Sequence, residues 1–180
     1  VNYLETNPTL LDTEGIFRLS GRHEAVLALK KQFDRGVPVD LSKVDDLHSI
    51  TGALKLYLRE LPEPLLTFEL YEPFMTANAL PDEESQRLIA VRSTIDRLPP
   101  GNANVFRFLL KFLNNLAQHE PSNKMGAGNL AVVFAPTLLR PKVETIDMVF
   151  GNVTNINELF TNFILAPEKY FQTTSNEEME

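Results

Sequence analysis

Apolar positions along this chain recur mostly at helical spacing. Over residues 22–35, Val26, Leu29 and Phe33 fall at i, i+3 and i+7, while Lys30, Lys31 and Asp34 take the wet side. Ser20 is placed to cap that helix and Gly36 to stop it. An extended connector, residues 36–41, follows. Asp45 and Asp46 then open a second helix, where acidic residues complement the macrodipole. Leu47, Ile50, Leu54, Leu58 and Leu61 form its apolar stripe, and Pro62 and Pro64 end it. Lys55 and Arg59 share a different face, turned from the stripe. Leu56 points nearly opposite the stripe, so it is either covered by another element or exposed for a partner.

Helical patterns continue. Residues 68–79 carry Leu70, Tyr71, Phe74 and Met75, with Pro73 tolerated only in an early or bent turn. Residues 82–98 carry Leu88, Val91 and Ile95. A break at Pro99-Pro100-Gly101 precedes residues 104–118, where Val105, Phe108, Leu109, Phe112, Leu113 and Leu116 predict a central, largely buried helix. The run from Leu130 to Ala135 allows a buried strand locally. It stands among helical patterns with no partner strand, so a short buried helix ended by Pro136 is expected. The last helical pattern covers residues 146–165, with Met148, Val149, Val153, Ile156, Leu159, Phe160 and Phe163 inward and a break at Pro167. At the other end, residues 1–7 read as the last turns of a helix with Tyr3 and Leu4 apolar, stopped at Asn7-Pro8. No stretch alternates with period two or repeats at 20–50 residues. The expected architecture is all-α, a single-domain bundle of about eight or nine helices.

One segment does not fit a helix. Glu14-Gly15-Ile16-Phe17-Arg18-Leu19-Ser20-Gly21 sets an arginine between two glycines. The glycines favour a shaped loop, and Ile16, Phe17 and Leu19 are apolar enough to pin it to a core. Arg18 is then expected to project outward. An always-charged planar fork on a fixed loop suits a phosphate, and it equally suits a surface pair with Glu14 or Glu24.

Composition narrows the chemistry. The 180 residues suit one domain with a sizeable core. Apolar content of 43% and charged content of 23% are those of a globular protein. There is no cysteine, which removes disulfides, thiolate metal sites and cysteine nucleophiles. His23, His48 and His119 are scattered and show no metal-ligand spacing. A net charge of −7 disfavours nucleic acid as a partner. No apolar run is long enough to form a transmembrane segment, and Val1-Asn2-Tyr3-Leu4-Glu5 is not a signal peptide. The chain opens on Val1 rather than Met, so a piece with a truncated N-terminal edge is expected. The end, residues 173–180, is expected to be an acidic flexible tail after a domain over residues 1–172.

Self-contained catalysis finds little support. Met125-Gly126-Ala127-Gly128-Asn129 has glycines but neither a preceding strand nor a following Gly-Lys-Ser/Thr, so it makes a poor nucleotide loop. Asp45-Asp46 and Glu83-Glu84 suit helix starts better than paired catalytic carboxylates. Nothing resembles a nucleophile elbow. The groups that stand out are Arg18, the pair Lys55 and Arg59, and Asn129 at the front of an apolar helix. The pair also fits a solvated face, and Asn129 also fits a helix cap.

Three blocks together resemble the Rho GTPase-activating (RhoGAP) domain family over nearly the whole chain. They are Glu14 to Gly21 as quoted; Leu54-Lys55-Leu56-Tyr57-Leu58-Arg59-Glu60-Leu61-Pro62-Glu63-Pro64-Leu65-Leu66; and Asn123-Lys124-Met125 followed by Asn129-Leu130-Ala131-Val132-Val133-Phe134-Ala135-Pro136. Their order and spacing make the match specific. The resemblance implies that Arg18 is the arginine finger, that Lys55 and Arg59 hold the finger loop and the GTPase, and that Asn129 and Pro136 lie at the GTPase contact surface. Thr137 is a departure, since many members have asparagine just after the proline; only a threonine hydroxyl is available there. The implied function is activation of a GTP-bound Rho-family small GTPase (Rho, Rac or Cdc42 type) by a monomeric cytoplasmic domain. The domain would have no cofactor and no metal of its own, since GTP and Mg2+ belong to the partner. The alternative is a catalytically inactive binding module of the same fold.

Overall fold

The computed structural model describes residues 1–80, 84–143 and 146–171. Among these residues there are nine α-helices and no strand. In chain order they are α1 (Asn2–Glu5), α2 (His23–Asp34), α3 (Leu47–Arg59), α4 (Tyr71–Asn78), α5 (Glu84–Ile95), α6 (Pro100–Gln118), α7 (Glu120–Asn123), α8 (Ala127–Leu138) and α9 (Ile146–Leu165). Short 3-10 turns occupy Pro8–Asp12, Leu41–Lys43 and Pro167–Lys169.

The most extensive packing is α8 along α9, with α6 against both. α2 pairs with α3, and α3 lies against α8. α4 packs on α5 and α9. The core is rich in phenylalanine. Phe74, Phe106, Phe160 and Phe163 meet edge to face, with Tyr170 closing on Phe163 at 4.8 Å. Such pairs contribute about 0.5–1.5 kcal/mol each beyond the area they bury. A second cluster joins Phe17 of the loop to Phe112 of α6 and Phe134 of α8.

The predicted helices are present with shifted edges. α6 begins at Pro100 rather than after the Pro-Pro-Gly break, because a proline in the first turn gives up an N–H that has no helical partner anyway. α4 carries Pro73 in its first turn for the same reason. α8 runs through Pro136 to Leu138 instead of ending there. The carbonyl left without a helical donor is that of Val132, one turn earlier. Ser20 does not cap α2: Arg22 takes the cap position, with no side-chain cap bond.

Some expected core positions are on the surface. Phe33 is 54% exposed, Val105 49% and Phe108 46%, and Val153 is exposed too. Those two positions on α6 face away from α8 and α9, while Phe106 and Leu110 are buried in their stead. Phe33 and Tyr57 line an open apolar groove of about 560 Å3 between α2 and α3, with Leu29, Ile50 and Leu54 at its base. Leu56 is half-buried. Met148 and Val149 of α9, the helix start expected at Asp82, the Glu83-Glu84 pair and the acidic tail lie outside the described residues and side chains.

Candidate functional site: a fixed arginine loop beside two cations

The loop from Thr13 to Gly21 is built by its own backbone. Ile16 N–H donates to Thr13 O, and the N–H groups of Arg18 and Leu19 both donate to Gly15 O at 2.9 and 2.8 Å. Gly15 sits at φ +69°, where a side chain is strained, and an added Cβ would lie 2.7 Å from Leu19 Cγ. Gly21 serves differently from expectation. Its φ is not left-handed; instead, a Cβ there would lie 2.2 Å from the backbone nitrogen of Ser49. The end of the loop is thus pressed directly onto the first turn of α3.

Two of the three expected anchors hold. Ile16 and Phe17 are completely buried. Leu19 is 46% exposed and folds back over Gly15 rather than entering the core. Phe17 adopts φ +65°, a conformation that costs a non-glycine residue about 1–3 kcal/mol. Its ring is held by Phe134 at 5.1 Å and Phe112 at 5.9 Å, so core packing offsets the strain.

The loop entrance is tied by Asn123, a fully buried amide. Its Nδ2 donates to Leu11 O and Leu116 O, its Oδ1 accepts Met125 N–H, and its carbonyl accepts Gly15 N–H at 2.8 Å. One residue therefore links the loop, the end of α6 and the lead into α8. That is the physical content of the Asn123-Lys124-Met125 block.

Arg18 is exposed and, among the described residues, has no hydrogen-bond or ion-pair partner. Neither Glu14 nor Glu24 pairs with it. Immediately before it, Phe17 O accepts a 2.5 Å hydrogen bond from Lys55 Nζ. Lys55 is half-buried, and burial first, then the neighbouring Arg59 charge, hold its ammonium below the usual lysine pKa. Arg59 is exposed one turn on. Lys55 thus meets the loop directly, and Arg59 adds a second cation beside Lys55, in a chain whose net charge is −7.

Asn129 is exposed, and its Nδ2 donates to Lys124 O at 3.1 Å. It does not cap α8; Gly126 holds the cap position and Asn129 is the third helical residue. Pro136 is exposed and Thr137 half-buried. Between Asn129 and Pro136, Val132 is 58% exposed on the same face of α8. Sequence reasoning missed Val132, although its spacing of three from Asn129 and four from Pro136 marks that face. No hydrogen bond among the described residues joins Asn129 or Pro136 to Arg18, Lys55 or Arg59. The connection is through packing: α3 lies on α8, and Phe17 touches Phe134. Among the described residues, no group of three or more His, Cys, Asp or Glu side chains could hold a metal ion. No helix there is long and apolar enough to cross a membrane.

The all-helical bundle that carries this loop is that of a known class. A family model described as the RhoGAP domain matches residues 1–143, and the chain belongs to that family. It is 42% identical over 161 residues to Rho GTPase-activating protein gacN of Dictyostelium discoideum, covering 88% of this chain and 26% of that protein. It is 42% identical over 165 residues to human Rho GTPase-activating protein 1, covering 92% of this chain and 36% of that one. The chain therefore spans well under half the length of these curated relatives. Its fold is similar to the crystal structure of human Rho GTPase activating protein 15, with a TM-score of 0.86 and 31% identity over 95% of this chain and 80% of that one. The BH domain of GRAF, the GTPase regulator associated with focal adhesion kinase, is similar at a TM-score of 0.83 and 30% identity, covering 96% of this chain and 90% of that one.

Proposed function

We propose that this domain stimulates GTP hydrolysis by Rho-family small GTPases (Rho, Rac or Cdc42 type) by inserting Arg18 in trans. The observation that carries the proposal is an exposed, unpartnered Arg18 beside a backbone fixed by the buried Phe17 ring and by Lys55. Hydrolysis builds negative charge on the transferring phosphoryl group and the leaving oxygen. A guanidinium supplied from outside neutralises that charge and helps exclude water, an effect of about 10³–10⁵ in rate for such fingers. That corresponds to about 4–7 kcal/mol of transition-state stabilisation.

GTP, Mg2+ and the group that positions the attacking water belong to the partner, which is bound in its GTP state. Lys55 and Arg59 support the finger and meet the partner, and Asn129, Val132 and Pro136 extend the contact along α8. The domain acts as a monomer in the cytoplasm, brought to membranes by other domains or by the GTPase itself.

The test is single-turnover GTP hydrolysis by Rho, Rac and Cdc42 types with and without the domain. Arg18→Ala is expected to abolish the stimulation, and Arg18→Lys to restore little of it, because an ammonium lacks the planar fork. Stimulation by Arg18→Ala equal to wild type with all three GTPases would refute the finger. A catalytically inactive binding module of the same fold would instead bind GTP-state and transition-state-mimic GTPase equally well. A true activator prefers the mimic.

A further inference from the structure

We infer that Asp46 is a positioning residue for the Arg18 loop, its carboxylate clasping the loop exit to the first turn of α3. The inference rests on the finger reading given above. Asp46 stands at the start of α3, where Oδ1 accepts His48 N–H at 3.0 Å, an ordinary capping bond. Its second oxygen does something a cap does not need. Oδ2 accepts Ser49 Oγ–H at 2.6 Å and also the backbone N–H of Arg22, 24 residues earlier, at 3.3 Å. Arg22 directly follows Gly21, whose backbone already presses on His48 and Ser49.

The loop is therefore held at three points around Arg18: Asn123 at its entrance, Lys55 at its centre and Asp46 at its exit. The exit clasp is the weakest by distance, so it is where the loop's position is most sensitive to a single oxygen. The Ser49 hydroxyl above all, and then the Arg22 and His48 amides, hold the Asp46 carboxyl below its ordinary pKa. It is accordingly an anion with all its acceptor capacity at neutral pH. Sliding the exit along α3 moves Arg18, four residues back, while leaving the cap of α3 and the buried Phe17 ring in place.

Asp46→Asn separates the two tasks, because asparagine caps a helix about as well as aspartate but presents only one acceptor oxygen. Asp46→Ser, another good cap with a shorter reach, is the second variant. Both are measured by thermal unfolding and by single-turnover hydrolysis over a range of domain concentrations, with Arg18→Ala beside them. Expected are melting within a few degrees of wild type, a maximal stimulated rate down about tenfold, and a half-saturating concentration changed less than twofold. A misplacement of an ångström remote from the chemistry can cost as much as ~100-fold. If both variants keep the full maximal rate while Arg18→Ala loses it, Asp46 is only a cap and the inference falls alone. The inference also falls if the half-saturating concentration rises about tenfold while the maximal rate is kept, which would give Asp46 a docking role instead. If Arg18→Ala itself keeps the stimulation, the finger reading falls and this one with it.

Discussion

Replacing Lys55 by methionine sets a charge's cost to folding against its use in the site. The two side chains have similar length, so little packing changes. Lys55 Nζ donates a charge-assisted bond to Phe17 O at 2.5 Å, and such bonds contribute about 1.5–3 kcal/mol net. Opposing that are the desolvation of a half-buried ammonium and the Arg59 charge one turn away, which together lower its pKa. A lysine whose folded pKa lies below its unfolded value of 10.5 is protonated more readily in the unfolded chain. Its charge therefore costs stability at neutral pH, and stability rises with pH across the window below 10.5. Methionine removes the desolvated charge but leaves the carbonyl of the buried Phe17 without that donor, which costs about 1–3 kcal/mol and is only partly offset. The expected net loss of stability is up to about 2 kcal/mol, or ~4–8 °C in melting temperature for a domain of this size. The methionine variant should also lose the alkaline rise in stability. Stimulation is affected far more. Without Lys55, the strained Phe17–Arg18 backbone loses its polar tether, and a fall of about 10–100-fold is expected, equal to ~1.4–2.7 kcal/mol. Thermal melts at neutral and alkaline pH, together with single-turnover hydrolysis, measure both. Melting more than about 10 °C below wild type would show that Lys55 is needed for the fold itself. Unchanged stimulation would refute its tie to the finger.

Two further substitutions probe the same surfaces. Val132→Asp alters an exposed side chain, so stability should stay within about 0.5 kcal/mol, while the half-saturating GTPase concentration rises at least ~tenfold, measured by titration of the stimulated rate. Asn123→Ala strands the carbonyl of Leu11 and the N–H of Met125, both deep in the core, while Leu116 O keeps the N–H of His119, and should cost more than about 2 kcal/mol by denaturant unfolding.

The stripes that predicted α2, α3 and α9 were readable because each helix shows one apolar face to its neighbours. Where the pattern failed, it failed for one reason: spacing tells which residues share a face, not whether anything covers it. Phe33 borders an open groove, and Val105 and Phe108 lie on an uncovered side of α6, although each is as apolar as a core residue. Leu19 failed for a local reason, since the turn closed by Gly15 O leads it back over the loop. The site was legible in its residue types but not in its wiring. Lys55 reaches the finger loop through the carbonyl of Phe17, and a backbone acceptor 38 positions away leaves no trace in side-chain patterning. Gly21 was singled out correctly for the wrong cause, because contact with α3 rather than φ demands it.

The strain at Phe17 has a use that follows from entropy. Fixing a backbone residue costs about 1–2 kcal/mol, so a loop that ordered only upon meeting its partner would lose several kcal/mol of binding and transition-state energy. Here residues 15–21 are ordered beforehand by the buried Ile16 and Phe17 side chains, by Asn123 and by Lys55. The folding of the bundle covers that ordering, and the left-handed Phe17 turns its carbonyl to Lys55 while the next side chain stays exposed. Among the described residues Arg18 makes no ion pair, so on the finger reading none must break before it meets a phosphate. On the same reading, a fixed backbone under an unpaired guanidinium lets an acidic domain serve an anionic substrate. Beyond about 8–10 Å the overall charge is screened by salt, whereas a cation delivered into a desolvated pocket acts at full strength. Stimulation should accordingly depend on Arg18 far more than on the surrounding charge. Neutralising distant carboxylates should alter the association rate and its salt dependence while leaving the maximal stimulated rate unchanged.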